Sequence, residues 1–338
     1  MSLLNRGVGP VQLQTAAVGC RTQADQEPTP ADSDALAPCY GHRMYALAVS
    51  LALATAPGPA RFADVVYGMG EERDVVVDGF RVHIAEAGPK DGPPVLLLHC
   101  FGLSMKVWRD TVPALVAAGF HVVAYDAPGH GKSARGVRAL RLIDLADLAV
   151  GVMDALGLES AAVVGNSMGG GTALTLAIEH PERVSKLVLV DSVGLDFRPW
   201  FRPLWGMMNP SAAQHSPDWA WGIVYDLAVQ KQSALGVDIR ADLLSTRADP
   251  LADRAAQAFY TVIVDVLKTD RTPDLRRVQA STLVVAGAHD RLVHPDHAVR
   301  LHEGILGSRL LVYDDLGHLP EVEDAARVSR DLVAFLMN

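Results

Sequence analysis

Cysteine, clustered basic residues and long apolar stretches are all scarce in this 338-residue chain, and each scarcity excludes a class of protein. The three cysteines, Cys20, Cys39 and Cys100, are too sparse and too odd in number for a disulfide framework or a cysteine-rich zinc site. No run of lysines and arginines occurs and the formal net charge is −9, which argues against a nucleic-acid partner, because phosphate binding needs basic patches. No apolar run is long enough to cross a bilayer confidently, and no internal repeat is visible. What the chain does have is hydrophobic content, 49% of its residues, enough for the core of one large α/β domain or two small ones.

Residues 1–43 are rich in Gln, Thr, Pro, Ala and Asp with little hydrophobic periodicity, and they read as a disordered extension. Residues 44–60 follow the basic His42-Arg43 and carry an apolar run, Tyr45 to Ala54, then small residues and prolines. Two readings compete: a secretory signal peptide or membrane anchor, with Met44 as an alternative start, and an amphipathic helix before the domain. The first makes the protein exported or membrane-anchored and the second leaves it cytoplasmic. A membrane partner is expected only through that segment.

Residues 70–338 have a regular rhythm. Asp74 to Val77 and Phe80 to Glu86 flank Asp78-Gly79, a hairpin signal. Short apolar runs follow at Val95 to His99, His121 to Tyr125, Ala161 to Val164, Leu187 to Val190, Thr282 to Ala286 and Leu310 to Tyr313. Helical patterns alternate with them, at Val107 to Ala118 and Leu140 to Leu156 among others. This predicts an α/β fold with a mostly parallel sheet after an antiparallel start. The rhythm breaks at about residues 192–275, where Trp200, Trp205, Trp219 and Trp221 lie and the periodicity turns helical, mainly over Trp219 to Gln230 and Leu251 to Lys268. An insertion leaving the carboxyl end of a parallel strand is placed to cover a ligand site as a helical cap.

The stretch Gly165-Asn166-Ser167-Met168-Gly169 fits G-x-S-x-G, with an apolar strand before it and a small-residue helix after it. A serine hydroxyl is a weak nucleophile, so it needs a base and a group to orient that base. In the strand–turn–helix setting of this motif the chain order is serine, acid, histidine. Asp290 lies in the loop after one predicted strand, and His318 in the loop after the next. Both loops open on the same sheet edge as Ser167. Asp191 also ends a strand and is the rival acid. His289, His294, His297 and His302 match no helical H-x-x-x-H pair, so no metal is expected there.

These residues resemble the α/β-hydrolase family, in its capped serine esterase-like branch. The likeness covers about residues 73–338 and adds His99-Cys100-Phe101-Gly102 and Asp126 to Ser133 to the motifs above. It implies an eight-stranded, mostly parallel sheet flanked by helices, with the cap inserted after the sixth strand. It also implies backbone N–H groups of Phe101 and Met168 as the oxyanion hole, and no cofactor. The Asp126–Ser133 stretch is similar to a family turn that shapes the sheet edge. The family usually has glycine at Cys100. The thiol either points into the packed strand end, as a free cysteine most often does, or lines the pocket floor; a loop that tolerates the larger residue is expected to leave room beside it, which puts the thiol within reach of a small alkylating reagent. A serine at 167 departs from relatives that open epoxides or displace halide through aspartate.

The expected reaction is acyl transfer to water from a small to medium apolar carboxylic ester. Gly165 to Gly170, G-N-S-M-G-G, also resembles relatives that cleave carbon–carbon bonds in ring-cleavage products, which is the alternative. A hydrolase-fold ligand-binding protein with vestigial turnover is the rival from another class. Nothing in the residues specifies an oligomeric state.

Overall fold

The computed structural model describes residues 67–134, 140–196, 228–230, 261–262 and 264–338. The predicted N-terminal extension, the signal or anchor segment and most of the predicted cap lie outside those residues. So do the four tryptophans of the insertion.

Eight strands form one sheet. They are β1 (Glu71–Val77), β2 (Phe80–Ala87), β3 (Pro94–Leu98), β4 (His121–Tyr125), β5 (Ala161–Asn166), β6 (Val184–Val190), β7 (Ser281–Gly287) and β8 (Arg309–Tyr313). Their spatial order is β1-β2-β4-β3-β5-β6-β7-β8. β1 and β2 form an antiparallel hairpin, β2 pairs antiparallel with β4, and every later pairing is parallel. The hairpin turns through Asp78 and Gly79 at φ 49° and 80°, the doubly left-handed turn that matches strand twist.

The helices are α1 (Val112–Ala117), α2 (Leu142–Ala155), α3 (Met168–Glu179), α4 (Asp296–Gly304), α5 (Pro320–Glu323) and α6 (Ala325–Leu336). The period of two in the central strands sorts side chains into two cores. Leu96 and Leu98 pack with α2, α3 and α4 on one face, and Val95 and Leu97 with α1 and α6 on the other. Each fully buried aliphatic side chain of this kind contributes about 1.5–3 kcal/mol relative to exposure. This explains why the strands read as continuous apolar runs.

The helix expected over Val107 to Ala118 is split. Met105–Trp108 is a 3-10 turn, and α1 begins only at Val112, with Pro113 in its first turn. Proline has no N–H to continue a preceding helix and disfavours helical backbone just before it. The insertion leaves the sheet after β6, as expected. Within it, Ala228, residues 261–262 and residues 264–268 are helical.

Because the strands beyond β2 are parallel, the loops after β3, β4, β5, β6, β7 and β8 open on one edge. Asp126, just past β4, ties two of them together. Its Oδ1 accepts from Met105 N (2.8 Å), and its Oδ2 from Lys132 N (2.8 Å) and the Tyr67 hydroxyl (3.1 Å). Gly131 leaves no room for a Cβ, which would sit 2.1 Å from Asp126 Oδ2. Asp126→Asn should lower unfolding free energy by about 2 kcal/mol in urea denaturation, because an amide nitrogen would face N–H donors across buried contacts. An unchanged midpoint would show that Asp126 is not the tie between these loops.

Candidate active site

Ser167 links β5 to α3 with φ 55° and ψ −113°. A positive φ is unfavourable for a residue with a side chain, at about 1–3 kcal/mol. Close backbone packing on both sides holds it there. A Cβ on Gly165 would lie 2.1 Å from the Gly169 carbonyl oxygen, and one on Gly169 would lie 2.3 Å from the Leu98 carbonyl oxygen. Both motif glycines are therefore required by contact. The Ser167 N–H donates to Val190 O (2.9 Å), and its carbonyl accepts from Gly171 N (2.9 Å) and Val193 N (3.2 Å). The elbow is thus fastened to the end of β6, and α3 starts at Met168, beside the serine.

His318 follows β8 and Asp290 follows β7. Their side chains are 5% and 0% exposed, and His318 Nδ1 lies 2.6 Å from Asp290 Oδ2. Asp290 Oδ1 accepts two further hydrogen bonds, from Leu292 N (2.7 Å) and Val293 N (2.9 Å). A carboxylate can only accept, so the imidazole proton sits on Nδ1 and Nε2 keeps its lone pair. Asp191, the rival acid, accepts from Gly287 N (3.0 Å) instead. Of the four histidines after β7, His297 pairs with Leu195 O and His302 with Ser308 Oγ, each away from the others.

Three anchors were not anticipated from the sequence. Asn166 Nδ2 donates to the His318 carbonyl (3.0 Å) and to Val190 O (3.3 Å), tying the histidine loop to the residue before the serine. The His318 N–H donates to Ala228 O (2.7 Å), in the insertion. Glu323 accepts from Gly317 N (3.0 Å) and Gln230 N (3.1 Å), bridging the same loop to the insertion. Only Asn166 carried a signal, as a variable position inside the motif.

The loop after β3 lies against the elbow through the Leu98 and His99 carbonyls. Phe101 packs on the apolar cluster that holds Met168, and its ring meets His130 edge-on at 5.6 Å. His99 locks the start of this loop. Its Nε2 accepts from Ala127 N (2.9 Å), so its proton is on Nδ1, which donates to Cys100 O (2.7 Å). Burial pushes the His99 imidazole down to about 4, against the opposing pull of the Cys100 carbonyl.

Cys100 does not line a pocket floor. It is 3% exposed and packs with Val95, Leu97 and α6, on the opposite core from Met168. The alternation of β3 does not carry past its end at Leu98: Cys100, two residues on, turns into the core opposite to that of Leu96 and Leu98, and Phe101 turns back toward theirs. A small alkylating reagent should therefore leave turnover unchanged in the parent and in Cys100→Gly alike. Selective loss in the parent would restore the pocket-floor placement.

The His99 arrangement has a pH signature. Its folded-state value lies below the unfolded one near 6.5, so its contribution is present above pH 6.5 and is lost as pH falls toward 4. Parent stability should fall through that window more steeply than that of His99→Gln, by about 1.4 kcal/mol per pH unit. Parallel slopes in denaturation at several pH values would contradict the buried neutral imidazole.

Comparison with known proteins agrees with this fold. Residues 93–325 match the family described as alpha/beta hydrolase fold. The chain is 33% identical over 278 residues to the 2-hydroxy-6-oxo-6-phenylhexa-2,4-dienoate hydrolase of Comamonas testosteroni, covering 76% of this chain and 91% of that one. Among solved structures it is similar to a membrane phospholipase A described as a bacterial virulence factor (TM-score 0.70, 26% identity, 80% of this chain and 87% of that one). It is also similar to a meta-cleavage product hydrolase of Pseudomonas fluorescens IP01 (TM-score 0.67, 26% identity, 78% of this chain and 97% of that one). The chain belongs to the α/β-hydrolase fold family.

Proposed function

We propose that this hydrolase uses Ser167 as nucleophile, His318 as general base and acid, and Asp290 as the orienting acid, and that it cleaves a carbon–carbon bond beside a ketone in a 2-hydroxy-6-oxo-dienoate. The observation that carries the catalytic part is the buried 2.6 Å His318–Asp290 pair on the sheet edge where the Ser167 elbow stands. The substrate class rests on the Comamonas testosteroni relative and on the match of Gly165 to Gly170 to such enzymes. A 6-oxo-dienoate has no ester or amide, so its hydrolysis must break carbon–carbon.

His318 Nε2 takes the Ser167 proton as the hydroxyl adds to the ketone carbon. Phe101 and Met168 N–H groups hold the resulting oxyanion; removing one such donor generally costs about 10²–10³-fold in turnover. The tetrahedral species collapses by releasing the neighbouring carbon. That carbon leaves readily only if the 2-hydroxydiene has first tautomerised to the 2-ketone, so that its electron pair spreads into that carbonyl. His318 returns the proton to the leaving group, and the acyl group stays on Ser167 Oγ. Water activated by His318 then frees a carboxylic acid and regenerates the serine. Each step conserves atoms and charge without an oxidant or cofactor.

The second reading is carboxylic ester hydrolysis. The same residues would act, with an alkoxide as leaving group and no tautomerisation. The likeness to the phospholipase favours it. An assay of kcat/KM on 2-hydroxy-6-oxo-6-phenylhexa-2,4-dienoate against p-nitrophenyl esters separates the two. The dienoate should be the better substrate, and the reverse order would select the ester reading.

Ser167→Ala and His318→Ala should each abolish turnover while circular dichroism shows an intact fold. The double variant should be little worse than either, because the residues act as a unit. Asp290→Asn should lower kcat by about 10⁴-fold, through the wrong histidine tautomer. Additive losses in the double variant would break the assignment.

A further inference from the structure

Asp191 sits where β6 ends, beside the acid of the proposed set, and its surroundings are unusual for a carboxyl group. It is 2% exposed. One oxygen, Oδ1, accepts from Gly287 N, and Oδ2 has no hydrogen-bond donor among the described residues. The side chain neighbours the Asp290 carboxyl: Gly287, whose N–H donates to it, receives the Asp290 N–H on its own carbonyl oxygen (3.1 Å). Two carboxyl groups in contact inside a protein cannot both carry charge, so they hold one proton between them.

The count of donors says which keeps it. Asp290 has three, the Leu292 and Val293 N–H groups and the His318 Nδ1–H. Asp191 has one. The anion is better stabilised at Asp290, and an O–H at Asp191 Oδ2 gives that oxygen the partner it otherwise lacks. A further acid acting on Asp191 is Glu321 of α5, which is fully buried with neither carboxyl oxygen partnered among the described residues, and burial pushes its carboxyl well above the usual range too. A second acid there makes a charge on Asp191 still less favourable. Burial first, and then the neighbouring Asp290, push the Asp191 carboxyl well above the usual carboxylate range.

We propose that Asp191 is a neutral carboxylic acid whose O–H donates to the Asp290 carboxylate, and that it is a positioning residue which sets the orientation and basicity of the Asp290–His318 pair. This rests on Asp290 being the acid of the proposed set. Asp191 has φ 41°. Asparagine and glycine tolerate that conformation, so both can be introduced with little strain.

The test uses the full chain and two readouts. Infrared difference spectra of parent against Asp191→Asn, near neutral pH and in H₂O and D₂O, should show a protonated-carboxyl band in the parent that the variant lacks. No band lost would mean Asp191 is ionised and would overturn the proposal. The second readout is the pH profile of kcat/KM. Asp191→Asn keeps a donor toward Asp290, so its rate should stay within about threefold of the parent with the acid limb in place. Asp191→Gly removes the donor. Its kcat should fall about tenfold, and its acid limb should move to higher pH, because an undelocalised Asp290 charge favours the imidazolium. A profile of Asp191→Gly identical to the parent would overturn the positioning role. So would an acid limb that moves to lower pH in Asp191→Asn, because that shift marks the loss of an anion. Failure of the underlying site reading looks different: Asp290→Asn would then leave turnover intact, while the infrared band would still report the Asp191 proton.

Discussion

A backbone packed so tightly that two positions admit only glycine is the constraint on which this structure turns. Gly165 and Gly169 allow the strand, the serine and the helix to pass within contact of β3 and of each other, and Ser167 is left at φ 55°. A strained residue persists only where its surroundings over-determine it. Here the ends of β3 and β6 do so, through the Leu98 carbonyl and through hydrogen bonds to Val190 and Val193. The parallel sheet then delivers the remaining parts, since the loops after β3, β6, β7 and β8 reach the same edge.

Bringing loops to one edge does not place their side chains to within a hydrogen bond, and a set of buried polar clamps does that work. His99 joins the loop after β3 to the Asp126 turn, Asp126 joins that turn to Met105, and Asn166 joins the serine strand to the histidine loop. Glu323 and Ala228 tie the histidine loop to the insertion. The insertion is therefore part of what holds His318, as well as lying in the chain between β6 and β7. Buried groups of this kind are costly when unpaired, so each loop is held in one arrangement.

Much of this was legible in the sequence, for physical reasons. The central strands are buried on both faces and so read as continuous apolar runs, while β1 and β2 were readable from the Asp78-Gly79 turn between them. Ser167 was readable because its glycines have no substitute, and His318 and Asp290 because chain order and strand ends place them. The split at Arg109 to Thr111 was misread because apolar spacing outweighed the proline at 113. Cys100 was misplaced because the expectation rested on the glycine usual in the family, whereas the chain turns after Leu98 and carries the thiol into the core opposite to that of Leu96 and Leu98. The clamps were not legible. Glu323 and Asn166 are ordinary polar residues whose partners are set by the fold, and one of them lies more than ninety residues away along the chain, in the insertion.

The catalytic role proposed for this sheet edge depends on Ser167 being a nucleophile activated by its position. The most direct measurement is intact-mass analysis of the protein after exposure to a fluorophosphonate, with the modified peptide mapped. Stoichiometric labelling on Ser167 is expected, with sharply slower labelling in His318→Ala. Absence of label, or label on another residue that persists in Ser167→Ala, would contradict that role.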